Sequence, residues 1–358
     1  MQTDLAIHFS VTFFAAAALS CFFTFLVRGI AVRMRIVDTP GEPRKVHGRP
    51  VPLLGGVALY ATVLAVLSGL LQTGWFTDDR VSTRLLWGIV LAGAVIMFIG
   101  FLDDALRLKW WQQMLGPILA VCIMVAAGLE IPFVTNPFGS GVLDLGELPF
   151  GGAVVPTGGI LIFLWLLGMM YTTKLLDGLD GLASSISFVA ALVIFVVSLF
   201  WDRSGSTTSF LALTLAGAVL GFLVWNWHPA KIFLGEGGSI FLGFMLGVLA
   251  VISGGKIATA LLVMGVPILD VLWIIGRRLA SGQKIFSADK KHLHFRLLQA
   301  GMTQRQVAFS LALVSLVFGS VSFVFGTRAK LIALAALFVF MLGLALVLIR
   351  HEKKHGSV

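Results

Sequence analysis

Apolar residues in this chain form long unbroken runs, of which Leu331 to Ile349 is the clearest, and not short alternating segments. A helix that crosses a bilayer needs roughly 20 apolar residues, whereas membrane β-barrel strands alternate over about ten residues. The pattern therefore predicts an all-α integral membrane protein. Eleven transmembrane helices are predicted near residues 6–27, 53–72, 85–102, 113–129, 157–173, 183–201, 208–225, 239–254, 257–276, 306–327 and 331–349.

Composition supports a membrane protein and excludes a soluble or disordered one. Of the 358 residues, 58% are hydrophobic and only 12% are charged, against about 25% charged in soluble domains. Cys21 and Cys122 both lie inside apolar runs, so neither a disulfide framework nor a zinc site is expected. No basic segment precedes the first apolar run, which we therefore expect to remain as a helix.

Basic residues predict the orientation, because lysine and arginine are enriched in cytoplasmic loops. With eleven spans, 20 of the 26 lysines and arginines fall on one side, which places the N-terminus outside and the C-terminus inside. The net charge of +9 follows from these loops, which would contact membrane lipids, so no nucleic-acid partner is inferred. The outside segment 130–156 lacks lysine and arginine and predicts a short β-hairpin.

A single membrane domain is expected over residues 1–358, with its polar clusters on the inner side. Loops that could carry chemistry lie near residues 28–52, 103–112, 174–182, 226–238 and 277–305.

Two of these loops contain paired aspartates. Asp103 and Asp104 are adjacent at the inner end of the third span, where water, a cation or a basic partner must compensate them; a charged helix end is the alternative. Asp177 and Asp180 share a helical face, and Lys174 lies one turn before Asp177. The alternative there is a lysine–aspartate pair in a solvated loop.

Glycine-rich and basic loops form the other clusters. Asn226 opens a loop whose glycines surround Glu236 before a predicted helix start, an arrangement that suits phosphate; a plain tight turn is the alternative. His292, His294 and Arg296 suit anionic phosphates, and a loop that binds anionic lipid is the alternative.

Lys45 and His47 belong to another basic loop, stiffened by prolines, for which the positive-inside pattern is the alternative explanation. Asp270 lies within a span, where an ion pair with Arg277 or Arg278 is expected. Taken together, the clusters suit Mg²⁺ that bridges phosphate oxygens, and phosphoryl transfer to a lipid phosphate, since such transfer depends mainly on positioning and charge neutralisation.

Seven sequence blocks follow one another between about residues 35 and 300: VDTP, RKVHGRPVPLLGG, GFLDD, DGLDGLA, NWHPAKIFLGEGGS, PILD and HLHFRLL. As a set they resemble the polyprenyl-phosphate N-acetylhexosamine-1-phosphate transferases, and the first blocks are similar to the N-acetylglucosamine branch. The resemblance implies transfer of a sugar 1-phosphate from a UDP-sugar donor to undecaprenyl phosphate, with release of UMP. It also implies Mg²⁺ or Mn²⁺, a site on the cytoplasmic face of a bacterial inner membrane, and a role at the start of a cell-surface glycan such as lipopolysaccharide or teichoic acid.

Carried over by residue, the resemblance assigns the catalytic site to Asp103 and Asp104 at the lipid phosphate and to Asp177 and Asp180 near the nucleotide. Glu236 is the leading metal ligand, with Asp177 or Asp104 second. An ionised lipid phosphate needs no proton removed, which favours positioning by Asp103 and Asp104 over a covalent aspartyl intermediate. The candidate substrate-binding residues are Lys45, His47, Lys174, Asn226, His292, His294 and Arg296.

Four positions depart from the family pattern, which usually has asparagine at Tyr171 and Lys174, aspartate at Glu236, and often a second histidine at Phe295. Lys174 could compete with the metal or contact the donor diphosphate; a lysine that extends into solvent is the alternative. The departures keep open a non-catalytic relative that binds lipid phosphate or a partner enzyme. Polar clusters at one face disfavour a transporter, and a homodimer also stays open.

The predicted orientation can be tested by cysteine labelling of intact cells in a variant without Cys21 and Cys122. Cysteines at Ala105 and Lys290 should resist a membrane-impermeant reagent, because both lie on the lysine- and arginine-rich side. A cysteine at Arg203, on the opposite side, should react. Labelling at both of the first two positions would contradict the eleven-span arrangement.

Overall fold

The computed structural model describes most of the chain. The described residues are 2–40, 48–75, 81–131, 133–135, 141–150, 153–202, 205–253, 257–282, 292–324 and 326–355.

Fourteen helices make up most of the described residues. The first seven are α1 (Gln2–Arg33), α2 (Gly55–Thr73), α3 (Thr83–Leu106), α4 (Trp110–Gln113), α5 (Leu115–Ala126), α6 (Thr157–Leu176) and α7 (Leu182–Trp201). The others are α8 (Thr207–Asn226), α9 (Gly235–Ile252), α10 (Ile257–Val263), α11 (Gly265–Ala280), α12 (Leu293–Gln299), α13 (Gln304–Val324) and α14 (Thr327–His355).

Within the described ranges, three antiparallel strand pairs lie between helices. They are β1 (Val37–Asp38) with β2 (Val51–Pro52), β3 (Phe133–Thr135) with β4 (Val142–Asp144), and β5 (Glu147–Phe150) with β6 (Ala153–Pro156). The segment 130–156 thus contains two strand pairs where the sequence predicted one hairpin, and the side of the membrane on which they lie stays a prediction.

The all-α membrane class is confirmed, with two irregular segments among the predicted spans. Among the described residues, nine helices are long and apolar enough to cross a membrane: α1, α2, α3, α6, α7, α8, α9, α13 and α14. The span predicted at 257–276 is broken, because α10 and α11 meet at 77°. The span predicted at 113–129 is short, because α5 has 12 residues and α4 has four. The count of eleven crossings and the orientation therefore stay predictions.

The short α4–α5 segment nevertheless connects the two ends of the helix array. At one end, Gln113 of α4 accepts a hydrogen bond from Lys174, in the last turn of α6. At the other end, the Ala126 carbonyl accepts a hydrogen bond from Arg84 at the start of α3. The chain therefore returns along α3 through this segment, although α5 by itself is shorter than a bilayer requires.

Two helices form the centre of the array, since nearly every residue of α8 and α9 is buried. Small residues allow their neighbours to approach closely: a Cβ at Gly217 or Gly221 of α8 would collide with backbone of α1, and one at Gly243 of α9 would collide with the Met169 carbonyl of α6. Close packing of small residues is the usual source of helix association in membranes, where lipid removes the hydrophobic driving force.

Glycine contacts also position the start of α9. A Cβ at Gly56 of α2 would collide with Gly238, and a Cβ at Gly100 of α3 would collide with Gly237. The Gly55 and Gly56 amides donate to carbonyls in the turn that precedes α9, at distances of 3.0 and 2.8 Å. The first turn of α9 is therefore wedged between the start of α2 and the end of α3.

Replacing Gly100 by alanine should disturb this wedge, because the new methyl group meets backbone atoms that cannot rotate away. Overpacking typically costs about 1–3 kcal/mol, so we expect the thermal midpoint of the detergent-purified protein to fall by roughly 1–4 °C. Gly168→Ala in α6 is the control, since nothing lies within 4 Å of a Cβ there. Equal midpoints for the two variants would argue against the wedge.

Candidate active site

An ion pair joins the end of α6 to the start of α9. The Lys174 ammonium pairs with Glu236 Oε1, and both side chains are partly buried, at 22% and 15% exposure. The same ammonium donates to Gln113 Oε1 at 3.0 Å and lies 5.6 Å from the centre of the Tyr171 ring. Lys174 therefore does not extend freely into solvent, and its ion-pair partner is Glu236 instead of the Asp177 that helical spacing suggested.

Asp103 and Asp104 follow each other in the last turn of α3 but make different contacts. Asp103 Oδ1 accepts from the Leu108 amide at 2.7 Å and from Gln113 Nε2 at 3.0 Å, which fixes the turn into α4. Asp104 Oδ1 accepts from the Glu236 amide at 3.1 Å. A carboxylate at a helix N-terminus stabilises the orphan amides and the dipole there, so Asp104 supports the first turn of α9.

Asp177 lies just beyond α6 and is the least compensated acid of the group. Among the described residues, its carboxylate has no hydrogen-bond or ion-pair partner. Burial, and then the negative charges of Glu236 and Asp180, raise the pKa of Asp177 to about 7. Asp177 is therefore available to a ligand and changes its charge near neutral pH.

Asp180 is engaged by the loop that follows α8. Its Oδ2 lies 2.7 Å from His228 Nδ1 and accepts from the Ala230 amide at 3.0 Å. Arg305 donates to the His228 carbonyl at 2.9 Å. Asp180 therefore positions this loop, and its catalytic role stays a prediction.

Asn226, a predicted substrate-binding residue, makes its hydrogen bonds within the protein. Its side chain is buried, its Oδ1 accepts from Ser184 Oγ at 2.8 Å, and its Nδ2 donates to the Ile232 carbonyl at 3.0 Å. Because these bonds close the turn between α8 and α9, Asn226 supports the loop from inside, and its contact with a substrate stays a prediction.

Asp270 also has a different partner from the expected arginines. It lies 2.8 Å from His292 Nδ1 and accepts from the Leu293 amide at 2.9 Å, so it fixes the start of α12. A carboxylate on one ring nitrogen orients an imidazole and leaves the other nitrogen for a ligand. His292 keeps its place as a candidate substrate contact.

His294 stacks near His292 and packs against the turn that carries Asp177. A Cβ at Gly178 would collide with His294 Nε2, and that nitrogen is buried without a hydrogen-bond partner among the described residues. The pKa of His294 is lowered to about 4, mainly by burial. The negative charge of Asp270 raises this pKa, and the neighbouring His292 lowers it further. At neutral pH His294 is therefore an uncharged hydrogen-bonding group and not a cation.

An apolar cavity of about 410 Å³ opens between α11 and α14, beside Asp270. Arg277 and Arg296 contribute to its lining, and Arg296 is itself mostly buried. The other lining residues are mainly apolar: Leu269, Leu272, Trp273, Gly276, Leu293, Phe338, Met341, Leu342 and Ala345. The predicted contacts Lys45 and His47 lie outside the described residues.

Two of the expected metal ligands, Glu236 and Asp104, are engaged by other groups of the protein. Glu236 faces an ammonium, and Asp104 accepts a backbone N–H. In the part of the chain that the structure describes, no three His, Cys, Asp or Glu side chains come together in a way that could hold a metal ion. An ion at Glu236 would have to displace Lys174, so Mg²⁺ or Mn²⁺ remains a prediction of the family resemblance.

Sequence reasoning missed two residues that organise the site. Gln113 connects Asp103 to Lys174, and His228 pairs with Asp180. His228 lies inside the block NWHPAK, where a histidine within a polar loop was a usable signal. Gln113 carries no comparable signal, because a glutamine at a helix end is unremarkable without knowledge of its neighbours.

Fold and site together define a polytopic helical membrane protein with an acidic, lysine-containing site at one end of its helices. Glycosyl transferase family 4 matches residues 86–254. The chain is 30% identical over 350 residues to the probable undecaprenyl-phosphate N-acetylglucosaminyl 1-phosphate transferase of Bacillus subtilis, covering 96% of this chain and 92% of that protein. It is 36% identical over 337 residues to the decaprenyl-phosphate N-acetylglucosaminephosphotransferase of Mycobacterium leprae, covering 87% and 82%.

A third relative is the undecaprenyl-phosphate alpha-N-acetylglucosaminyl 1-phosphate transferase of Thermotoga maritima. It is 30% identical to this chain over 280 residues, which cover 78% of each protein. The chain belongs to glycosyl transferase family 4, the family of polyprenyl-phosphate sugar-1-phosphate transferases that its sequence blocks resemble. The family expected from the sequence is confirmed.

The pKa of Asp177 predicts a pH-dependent stability difference. Because the folded state raises this pKa to about 7, the wild type binds the proton more tightly when folded and loses stability as pH rises towards 7. Asp177→Asn does not titrate, so it should melt at a higher temperature than wild type at pH 8, with a smaller advantage at pH 5. Thermal melts of both proteins test this, with Glu130→Gln as the charge control. An equal advantage at both pH values would contradict the raised pKa.

Proposed function

We propose that this chain transfers an N-acetylhexosamine 1-phosphate, N-acetylglucosamine 1-phosphate in the first instance, from a UDP-sugar to a polyprenyl phosphate and releases UMP. The observation that carries the proposal is the convergence of Asp103, Asp104, Lys174, Asp177 and Glu236 at one end of the array. The names of the three relatives favour a transferase over a non-catalytic lipid-phosphate binder.

The reaction is a single displacement at phosphorus. An oxygen of the lipid phosphate forms a bond to the phosphorus that bears the sugar. The bond from that phosphorus to the bridging oxygen breaks, and its electron pair leaves with UMP. Since the attacking oxygen is already ionised, the protein needs to align two phosphates and offset their repulsion, not to remove a proton.

Contacts in the structure suggest how the work is divided. We assign the donor diphosphate to the Lys174 ammonium, the described cation at the centre of the acidic group. Asp177, without a partner of its own among the described residues, is placed to accept hydrogen bonds from sugar or ribose hydroxyls. Asp103 and Asp104 act by positioning, because they hold Gln113 and the first turn of α9.

The cavity between α11 and α14 is our candidate for the acceptor. Its apolar walls suit a polyprenyl chain, while Arg277 and Arg296 suit the phosphate. The pair Asp270–His292 and the neighbouring His294 lead from this cavity to Gly178, next to Asp177. This route would bring the acceptor phosphate towards the donor.

We place the reaction at the cytoplasmic face of a bacterial inner membrane, supported by the uneven distribution of lysine and arginine. The same reaction applies whichever glycan receives the product and whichever epimer the sugar is. It also applies whether or not the protein forms a homodimer. A requirement for Mg²⁺ or Mn²⁺ is kept as a separate variable in the assay.

The test is UMP release by purified protein in nanodiscs, with undecaprenyl phosphate and a panel of UDP-sugars, each with Mg²⁺ and with a chelator. UDP-N-acetylglucosamine should give the highest turnover. No UMP above background with any UDP-N-acetylhexosamine, in either arm, would overturn the proposed function.

In the same assay Asp104→Asn should lower turnover by about 10²-fold, because a neutral acceptor holds the first turn of α9 less firmly and a misplacement of about 1 Å can cost that much. Its folded state should persist, because the asparagine oxygen can still accept the Glu236 N–H. Glu130→Gln, at an exposed position beyond α5, is the matched control and should retain turnover within about twofold. Near-wild-type turnover of Asp104→Asn would move the reacting centre elsewhere.

A further inference from the structure

The acidic end of the array contains its own counter-cation. We propose that the Lys174 ammonium occupies the position at Glu236 that a divalent metal ion would need, so that this chain neutralises its site with a side chain. The occupancy of Glu236 is independent of the reaction; only its consequence for catalysis rests on the proposed function.

The ammonium is held in place by three different neighbours. It pairs with Glu236, donates to Gln113 and faces the Tyr171 ring. Gln113 is itself fixed, because its amide nitrogen donates to Asp103 and to the Leu108 carbonyl. The ion pair, the hydrogen bond and the nearby ring together give the ammonium charge a defined position.

Asp103 and Asp104 do not offer a metal ion an alternative centre around Glu236. Asp103 accepts two hydrogen bonds and Asp104 accepts one, all from N–H groups. Among the described residues, no set of three potential ligands converges. A metal ion could reach Glu236 only by displacing the ammonium.

Displacement is opposed by burial. Both members of the pair are mostly shielded from water, and breaking such a pair leaves a charge without compensation in a weakly polar environment. A divalent ion would therefore have to replace the ammonium. It would also have to compensate for the lost contacts of the ammonium with Gln113 and Tyr171. The same argument predicts that removing the ammonium exposes a carboxylate that can bind a metal ion.

In the proposed reaction, the consequence is a permanent positive charge for the donor diphosphate. Turnover by the wild type should then change less than about threefold between Mg²⁺ and chelator, because the charge is covalently attached. A side-chain cation also cannot be removed by a chelator or outcompeted by other divalent ions.

The decisive measurement is binding of Mn²⁺ alone to the purified full-length protein, followed by electron paramagnetic resonance. Lys174→Met keeps the length of the side chain but removes its charge and adds no oxygen ligand. This variant should bind Mn²⁺ at least tenfold more tightly than wild type. The gain should disappear in Lys174→Met/Glu236→Gln, and Lys174→Arg should bind as weakly as wild type.

Lys109→Gln separates local occupancy from a general change in charge. Lys109 is exposed at the start of α4, close in sequence to the aspartates but without contact to Glu236. Its replacement should change Mn²⁺ affinity by less than twofold. A similar gain in Lys109→Gln and Lys174→Met, or a gain that survives Glu236→Gln, would overturn the proposal.

A second variant covers the case in which Lys174→Met does not fold. Glu236→Gln in the wild-type background should leave Mn²⁺ binding unchanged, since Glu236 is already occupied. A tenfold loss of Mn²⁺ affinity in this variant would show that Glu236 is a metal ligand and would overturn the proposal.

Metal binding and UMP release are separate readouts, so the two proposals can fail separately. The predicted Mn²⁺ pattern in a protein without UMP release would support the built-in cation and refute the transferase. UMP release together with unchanged Mn²⁺ binding in Lys174→Met would support the transferase and refute the built-in cation.

Discussion

Contact between glycine backbones where α9 begins is the constraint on which the site depends. Gly237 and Gly238 approach Gly100 and Gly56 so closely that no side chain could stand between them. In a bilayer, helices gain little from hiding apolar surface, so van der Waals contact at small residues decides where they meet. This contact brings the Glu236 amide to Asp104 and places the ends of α3 and α6 beside the first turn of α9.

Polar groups at this end of the array are stabilised by pairing across helices. Lys174 with Glu236, Asp180 with His228, and Asp270 with His292 each join segments that are distant in the sequence. Ionisable groups near a membrane are costly unless they have such partners. The same pairs define the site, because they hold the loops after α6, α8 and α11 against one another and leave Asp177 unpaired among the described residues at their centre.

Sequence reasoning located the helices and the polar clusters better than it identified partners. Apolar run length predicted a helix at each of the eleven spans, but it does not reveal where a helix axis bends, as between α10 and α11. Helical spacing suggested that Lys174 contacts Asp177. Because α6 ends between the two residues, Lys174 lies in the last turn of α6, where its ammonium pairs with Glu236. An asparagine at the start of a glycine-rich loop is a typical candidate for a ligand contact. Only the tertiary packing shows that the Asn226 side chain closes a turn.

The pairing of Lys174 with Glu236 also restricts how this site can evolve. Each residue neutralises the charge of the other. A change at either one alone would therefore leave an unpaired charge in an environment mostly shielded from water. A descendant could reach a neutral arrangement without a metal ion only through a weakened intermediate or by two mutations at once. Although Lys174 and Glu236 lie on different helices, the two positions should therefore change together during evolution and not one at a time.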